Sequence, residues 1–272
     1  MSVEDMRIEP ISANIGAEIS GFDFSEELDD AAADRLRAAF RKYRLLLIRD
    51  RDLSAENQAR FANIFGDVVI HEDYDVDETK EDETQYVSNN RSDGILGKGE
   101  LDFHHDQLFQ EVPLRALILY AIEIPDSGSE TSFVHTARAF DAMPDELRDR
   151  LEDKTCLHLY DFKGDYAGFQ DPEKATPGSP RANHPILYRE DDDQETAVWV
   201  NRLTTIRVNE LEADDSQNLI DEVRSYLRDE NIIYRHRWTP GDLLIWDNRM
   251  LQHARGPFDE SKPRTLRRTP IM

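Results

Sequence analysis

The stretch 101–109 reads LDFHHDQLF and places two adjacent histidines and an aspartate inside an otherwise apolar run. On a strand, side chains alternate between faces, so His104 and Asp106 point one way and His105 the other. A metal needs ligands that converge, which makes His104 and Asp106 the candidate pair and His105 the bystander. H-x-D alone is a weak signal, since ordinary core packing produces it too, and a third ligand must come from elsewhere. Downstream lie His135, His158, His184, His236 and His253. His253 has the best surroundings, because it follows GDLLIWDNR, an apolar strand ending in an Asp-Asn turn. Two imidazoles and one carboxylate on one face of Fe(II) leave three positions open, which suits a chelating co-substrate plus dioxygen. A zinc hydrolase uses the same ligand types, and spacing alone does not choose between them.

A second clue is KPRTLRRTPI at 262–271. On a strand, Arg264, Leu266 and Arg268 share one face, while Thr265, Arg267 and Thr269 share the other. Two guanidinium groups facing a pocket call for anions, and arginine grips carboxylates with a bidentate fork. The competing reading pairs Arg264 and Arg268 with some of the chain's many surface acids.

Around these motifs the chain alternates short strands with a few helices. Apolar and polar residues alternate over 7–24 around Gly16 and Gly21, which predicts strands joined by turns. The spacing predicts helices over 29–44, 54–66, 136–152 (with Pro144 at a break) and 214–230, with Ser54 as an N-cap. LLLIRD (45–50), 101–109, 114–124, 131–135, 184–189, 197–201 and the alternating C-terminal segments read as strands. The turn-rich segments near 71–100 and 161–183 read as loop or lid insertions. The whole, 1–272, is expected to be a single β-rich α/β domain, a sandwich or barrel with helices packed outside. No Gly-rich phosphate loop sits between a strand and a helix.

Composition narrows the function classes. Fifty-seven acidic residues against 33 basic ones give a net charge of −24, which repels nucleic acid and anionic membranes, so neither is an expected partner. The basic residues comprise 7 lysines and 26 arginines, a bias that fits either a salt-adapted host or ordinary compositional drift. No run is apolar enough to span a bilayer. The lone Cys156 rules out an internal disulfide framework and fits a reducing, cytoplasmic setting.

Taken together, these motifs resemble the TauD/TfdA family of Fe(II)/2-oxoglutarate-dependent dioxygenases. The resemblance runs from IGAEISGFD (15–23) through RFANIFGD, FHHDQLF, PDSGSETSF, HPILY and VWVNRLTT to RWTPGDLLIWDNRMLQHA and RTLRRTPI. Its most specific part is WDNRMLQH, with an arginine eleven residues beyond its histidine. It implies a double-stranded β-helix (jelly-roll, cupin-like) core with flanking helices. It also implies Fe(II) held by His104, Asp106 and His253, with 2-oxoglutarate and O2 as co-substrates. Arg264 and Thr131 would hold the far carboxylate of 2-oxoglutarate, and Arg268, His71 and Tyr74 would face the primary substrate. Trp246 would lie beneath the metal, where plain core packing explains it equally well. The implied reaction is hydroxylation of a small anionic organic substrate with succinate and CO2 as co-products, by a homo-oligomer, dimer or tetramer. The alternative is a catalytically silent metal- or ligand-binding relative with a regulatory role. Asp106 argues against halogenation, because halogenating relatives carry a small residue there. Two departures stand out: the family's GGDT turn is GSET here, and Glu100 takes the place of a neutral amide, where an inward-pointing acid would repel a sulfonate such as taurine.

Overall fold

The computed structural model describes residues 6–21, 28–49, 52–69, 85–161, 173–190 and 194–272. Two β-sheets face each other at its centre. The larger has eight strands in the order Arg7–Pro10, Ala17–Ser20, Leu45–Ile48, Leu243–Asp247, Ala116–Glu123, Thr265–Ile271, Gln85–Ser88 and Gly94–Ile95. The smaller has four, in the order Ile233–His236, Thr131–His135, Leu251–Arg255 and Leu101–His104.

Period-two alternation along the central strands sorts their side chains into two cores. Leu45, Leu47, Leu117, Leu119, Leu244, Trp246 and Leu266 point inward and meet Phe133 and Leu251 of the smaller sheet. Their neighbours Leu46, Ile48, Ile118, Leu243 and Ile245 point outward, onto Leu36 and Phe40 of the helix Asp30–Tyr43. A strand covered on both faces needs a continuous apolar run, which is why LLLI is unbroken. The outer face of the smaller sheet, at Phe103 and Val134, is covered by the helices Asp145–Leu151 and Ala213–Tyr226. A three-stranded sheet, Arg181–Pro185, Thr155–Leu159 and Thr205–Val208, adjoins that side.

The helices begin where their caps dictate. Asp29 accepts from the Ala32 amide at 2.8 Å, and Ser54 accepts from the Asn57 amide at 3.1 Å. The helix Asp30–Tyr43 ends on Arg44 in the left-handed region at φ 61°. As expected, Pro144 separates two helices, Thr136–Asp141 and Asp145–Leu151. Gly16, at φ 85°, turns the first strand into the second, and a Cβ there would lie 2.7 Å from the Ile11 side chain.

Several expected boundaries differ. The strand at 101–109 stops at His104, and the helix beginning at Ala213 stops at Tyr226. The strand at 184–189 is two strands in different sheets, Arg181–Pro185 and Leu187–Arg189, because Pro185 lacks the amide hydrogen needed to continue a ladder. The expected insertions are partly strand: Gln85–Ser88 and Gly94–Ile95 fall within 71–100, and Arg181–Pro185 begins within 161–183. Among the described residues no helix is long and apolar enough to cross a membrane.

Phe133 is fully buried between the sheets, with its ring edge-on to Trp246 at 5.4 Å. Replacing Phe133 by alanine removes the largest contact the smaller sheet makes there and is expected to cost about 3–5 kcal/mol. Urea denaturation of the two proteins measures this; a loss under about 1 kcal/mol would mean that the facing surfaces do not carry the fold.

Candidate active site

His253 lies in the middle of Leu251–Arg255, and the antiparallel register sets it directly opposite His104. Their rings are 4.2 Å apart between centroids. Asp106 joins them by a different route from the one the sequence suggests. The strand ends at His104 and the chain turns, with Gln107 at φ 63°, so a turn and not strand alternation brings the carboxylate round. Asp106 Oδ1 then lies 3.2 Å from His104 Nε2 and 3.6 Å from His253 Nε2. The three ligand atoms all fall within 4.8 Å of one another, the only such group among the described residues.

Protonation favours metal binding. His104 Nδ1 lies 2.8 Å from the Asp102 carbonyl oxygen, which can only accept. Nδ1 therefore carries the hydrogen and Nε2 keeps its lone pair toward the centre. Burial, with His104 beside it, pushes His253 down to about 3, so its imidazole is neutral near pH 7. For Asp106, burial pushes upward, but the Arg268 guanidinium outweighs it and holds the carboxyl well below its ordinary range. Beneath the site the Trp246 ring lies 4.9 Å from that of His253.

The turn that carries Asp106 is locked by Asn248, a residue the sequence reading passed over. Asn248 accepts from the Asp106 amide at 2.8 Å and donates to the Asp106 and Leu114 carbonyls at 2.9 and 3.0 Å. The signal was present in WDNR: an Asp-Asn turn presents a short amide able to pair with a neighbouring backbone.

The arginines separate as their alternation requires. Arg268 faces inward and donates to Asp106 Oδ2 at 2.7 Å and to Gln85 Oε1. It was expected beside the primary substrate; here its guanidinium engages a candidate metal ligand directly. Arg267 faces outward, donating to Gln58 Oε1 at 2.7 Å and to the Leu53 carbonyl at 2.5 Å. Arg264 is 3% exposed and has no acidic partner among the described residues. Its Nε finds no hydrogen-bond acceptor. Burial, with Arg255 nearby, pushes this guanidinium down to about 9. A buried cation without a counter-charge is costly, so the pocket is built for an anion.

Thr131 is buried, and its Oγ1 accepts from Trp238 Nε1 at 2.9 Å. The indole uses only an acceptor lone pair, leaving the threonine hydrogen free to be donated. His236, two residues before Trp238, pairs with the buried Asp242 at 3.1 Å and stands edge-on to the indole. His71 and Tyr74 lie outside the described residues. Glu100 is exposed, which removes the expected repulsion of a sulfonate. His105 is buried and kept neutral by burial, and neither ring nitrogen has a hydrogen-bond partner among the described residues. His184 anchors a loop, as expected, by donating to the Gln110 carbonyl at 2.8 Å.

Comparison with known proteins agrees with this arrangement. The family model described as taurine catabolism dioxygenase TauD, TfdA family, matches residues 7–269. The chain belongs to the TauD/TfdA family. It is a 2-oxoglutarate-dependent non-haem iron dioxygenase, using Fe(II), 2-oxoglutarate and O2. Among its relatives are an alpha-ketoglutarate-dependent sulfate ester dioxygenase of Pseudomonas putida, 29% identical with 98% of this chain and 89% of the relative covered. An (S)-phenoxypropionate/alpha-ketoglutarate-dioxygenase of Sphingobium herbicidovorans is 28% identical, covering 95% and 92%. The fold is shared with a taurine dioxygenase from Burkholderia xenovorans, with a TM-score of 0.82 at 22% identity, covering 98% of this chain and 89% of that one. It is shared equally with AAD-2 in complex with Mn(II) and N-oxalylglycine, with a TM-score of 0.81 at 22% identity, covering 98% and 96%.

If Asn248 holds the carboxylate in place, Asn248→Ala leaves all three ligand residues intact yet loosens the turn. The expected result is roughly 10-fold weaker Mn(II) binding, in the range for residues that orient metal ligands. Titration by electron paramagnetic resonance reads this directly, and unchanged affinity would show that the turn holds without the amide.

Proposed function

We propose that this dioxygenase hydroxylates a small organic anion at a carbon next to oxygen, using His104, Asp106 and His253 to hold iron and Arg264 with Thr131 to hold 2-oxoglutarate. The observation that carries this reading is the pairing of two features in one interior. Three ligand atoms converge within 4.8 Å, and a buried guanidinium stands without an acid among the described residues. Two imidazoles and one carboxylate are the donor set Fe(II) accepts while keeping positions open. Bound iron would supply the activation of dioxygen, coupled to decarboxylation of 2-oxoglutarate to succinate and CO2.

The chain's own residues do the positioning. Arg264 offers its fork to the distal carboxylate, and Thr131, oriented by Trp238, adds a hydroxyl donor. Arg268 grips Asp106 Oδ2, which leaves Oδ1 on the side of the two Nε2 atoms. It also places positive charge at the edge of the site, where an anionic substrate would be drawn in. The apolar wall at Trp246 and Phe133 excludes water behind the histidines.

The substrate class rests on chemistry that the named relatives share. A sulfate ester and a phenoxypropionate are both anions with a C–H beside oxygen. Hydroxylation there gives a carbon that collapses to a carbonyl compound and releases the oxygen-linked group. The exposed position of Glu100 leaves sulfonates within reach as well.

The fold reading extends to a double-stranded β-helix. It is supported by eight strands in chain order: Gln85–Ser88, Leu101–His104, Ala116–Glu123, Thr131–His135, Ile233–His236, Leu243–Asp247, Leu251–Arg255 and Thr265–Ile271. They alternate between the two sheets except at the single step from Thr131–His135 to Ile233–His236. We read residues 1–272 as one such domain, acting in the cytoplasm as a homo-oligomer. Size-exclusion chromatography with light scattering tests the assembly.

The decisive assay measures succinate formed from 2-oxoglutarate with Fe(II), ascorbate and a panel of sulfate esters, aryloxy acids and sulfonates. Turnover with at least one anion is expected, and its loss in His253→Ala. Activity surviving under anaerobic conditions with Zn(II) and no 2-oxoglutarate would overturn the reading. Arg268→Gln is expected to weaken Mn(II) binding about 10-fold as well as raising KM for the substrate, because the side chain grips Asp106 and would face the substrate. A change in KM alone would mean that its grip on Asp106 contributes nothing.

A further inference from the structure

Two residues beyond His253 on the same strand, Arg255 shares the inward face of that metal ligand. It is 5% exposed, and its guanidinium donates to three backbone carbonyls in one loop: from Nε to Gly99 at 2.9 Å, from Nη2 to Lys98 at 2.6 Å and from Nη1 to Leu96. Few side chains can do this. Only a planar fork with donors on three nitrogens spans carbonyls along a curved segment. The loop needs such a clamp because its backbone is unusual: Leu96 has φ 49° and Gly99 has φ 73°. A non-glycine residue in the left-handed region is strained, and the surroundings must hold it there.

The clamp sits at the co-substrate end of the site. In the antiparallel register Arg255 lies opposite Thr131, so the two side chains share a face. Arg255 and Arg264 also flank one ring, with their guanidinium carbons 5.8 and 5.5 Å from the centre of Phe258. On its other side Arg255 pairs, across a register shift, with Leu101, the first residue of the strand that ends in His104. Arg255 thus ties the strand bearing His253 to the loop that feeds the strand bearing His104, next to Thr131 and Arg264.

We infer that Arg255 is a positioning residue for 2-oxoglutarate: it fixes the 96–99 loop as a wall of the oxo-acid pocket beside Thr131 and Arg264. This rests on the assignment of Arg264 and Thr131 to the distal carboxylate. It goes beyond that assignment by giving the pocket a loop wall, and by giving the clamp a requirement for fork geometry as well as charge.

Three measurements test it without relying on turnover. The first is calorimetric titration of 2-oxoglutarate into the Mn(II)-loaded protein under argon. Arg255→Gln and Arg255→Lys are each expected to weaken binding at least 5-fold, since neither can span three carbonyls, while Mn(II) affinity stays within 2-fold of wild type. If Arg255→Lys binds 2-oxoglutarate as the wild type does, the clamp is not needed and the inference fails. The second uses the exposed Lys98 as a reporter. Trypsin cleavage after Lys98, followed by mass spectrometry, is expected to be faster in Arg255→Gln. It is also expected to slow in wild-type protein when Mn(II) and 2-oxoglutarate are added; no slowing overturns the inference even if the variants fail to fold. The third is Arg264→Gln, which separates the two ideas. If it binds 2-oxoglutarate normally, the underlying assignment is wrong. If it loses binding while the Arg255 variants keep it, only the role of Arg255 is wrong.

Discussion

The pairing of Leu251–Arg255 with Leu101–His104, in the register that puts His253 across from His104, is the constraint on which the rest of the molecule depends. Strand side chains have a period of two, so a slip of one residue would turn His253 toward the outer face and bring Gln252 or Ala254 inward. The register is held from both sides. Leu251–Arg255 also pairs with Thr131–His135, which sets Phe133 beside His253 and Thr131 beside Arg255. One strand therefore carries a candidate metal ligand and the arginine bonded to the 96–99 loop, and its neighbours carry the second histidine and Thr131, proposed above to hold the co-substrate.

A register fixes the two histidines but not Asp106, whose own turn after His104 is held by the tight turn after Trp246. Asp247 accepts from Arg44 at 3.2 Å, and its amide donates to the Arg44 carbonyl at 2.8 Å, which ties the turn to the end of the first helix. Arg44 in turn reaches Glu195 at 2.9 Å. Burial raises the Asp247 carboxyl despite this partner, as expected for an acid almost without access to water. Asn248 then pairs with the backbone of Asp106. Consecutive residues thus divide the work, one anchoring the turn to the scaffold and the next aiming the carboxylate.

Much of this was legible in the sequence, and the exceptions have physical causes. Alternation along RTLRRTPI separated Arg268 from Arg267 correctly, because that strand's pairing is regular from Leu266 to Ile271. Alternation also placed His104 with Asp106 and apart from His105, but for the wrong reason: a turn at Gln107, not a continuing strand, delivers the carboxylate. The choice of Asp106 partner for Arg268 could not be read, since it depends on how far the guanidinium reaches across the sheet. The clamp of Arg255 was equally hidden, because backbone carbonyls carry no residue-type signal. The strand Gln85–Ser88 was missed inside a turn-rich stretch, where Gly and Asn at 89–99 outweighed four residues of weak alternation. Glu100 shows the converse limit: its identity was plain, but whether it faced the pocket depended on the turn at Gly99.

Charge is distributed in opposite senses inside and out. The chain carries −24 overall, yet Arg255, Arg264, Arg267 and Arg268 are all buried. Lysine would serve poorly in these places, since a compact ammonium loses more hydration on burial and cannot divide its donors along a plane. Arg268 spends its fork on Asp106 and Gln85, Arg267 on Gln58 and the Leu53 carbonyl, and Arg255 on three carbonyls of one loop. Arg264 alone of the four has neither an acid nor a hydrogen-bonded acceptor for its Nε among the described residues. An acidic exterior does not draw anions from a distance, and at physiological ionic strength its field fades within about 8 Å. Recognition of an oxo-acid therefore has to be short-ranged, made by a guanidinium already desolvated and held in place. In the proposed reading the oxo-acid goes to Arg264, the arginine whose Nε lacks a hydrogen-bond acceptor among the described residues.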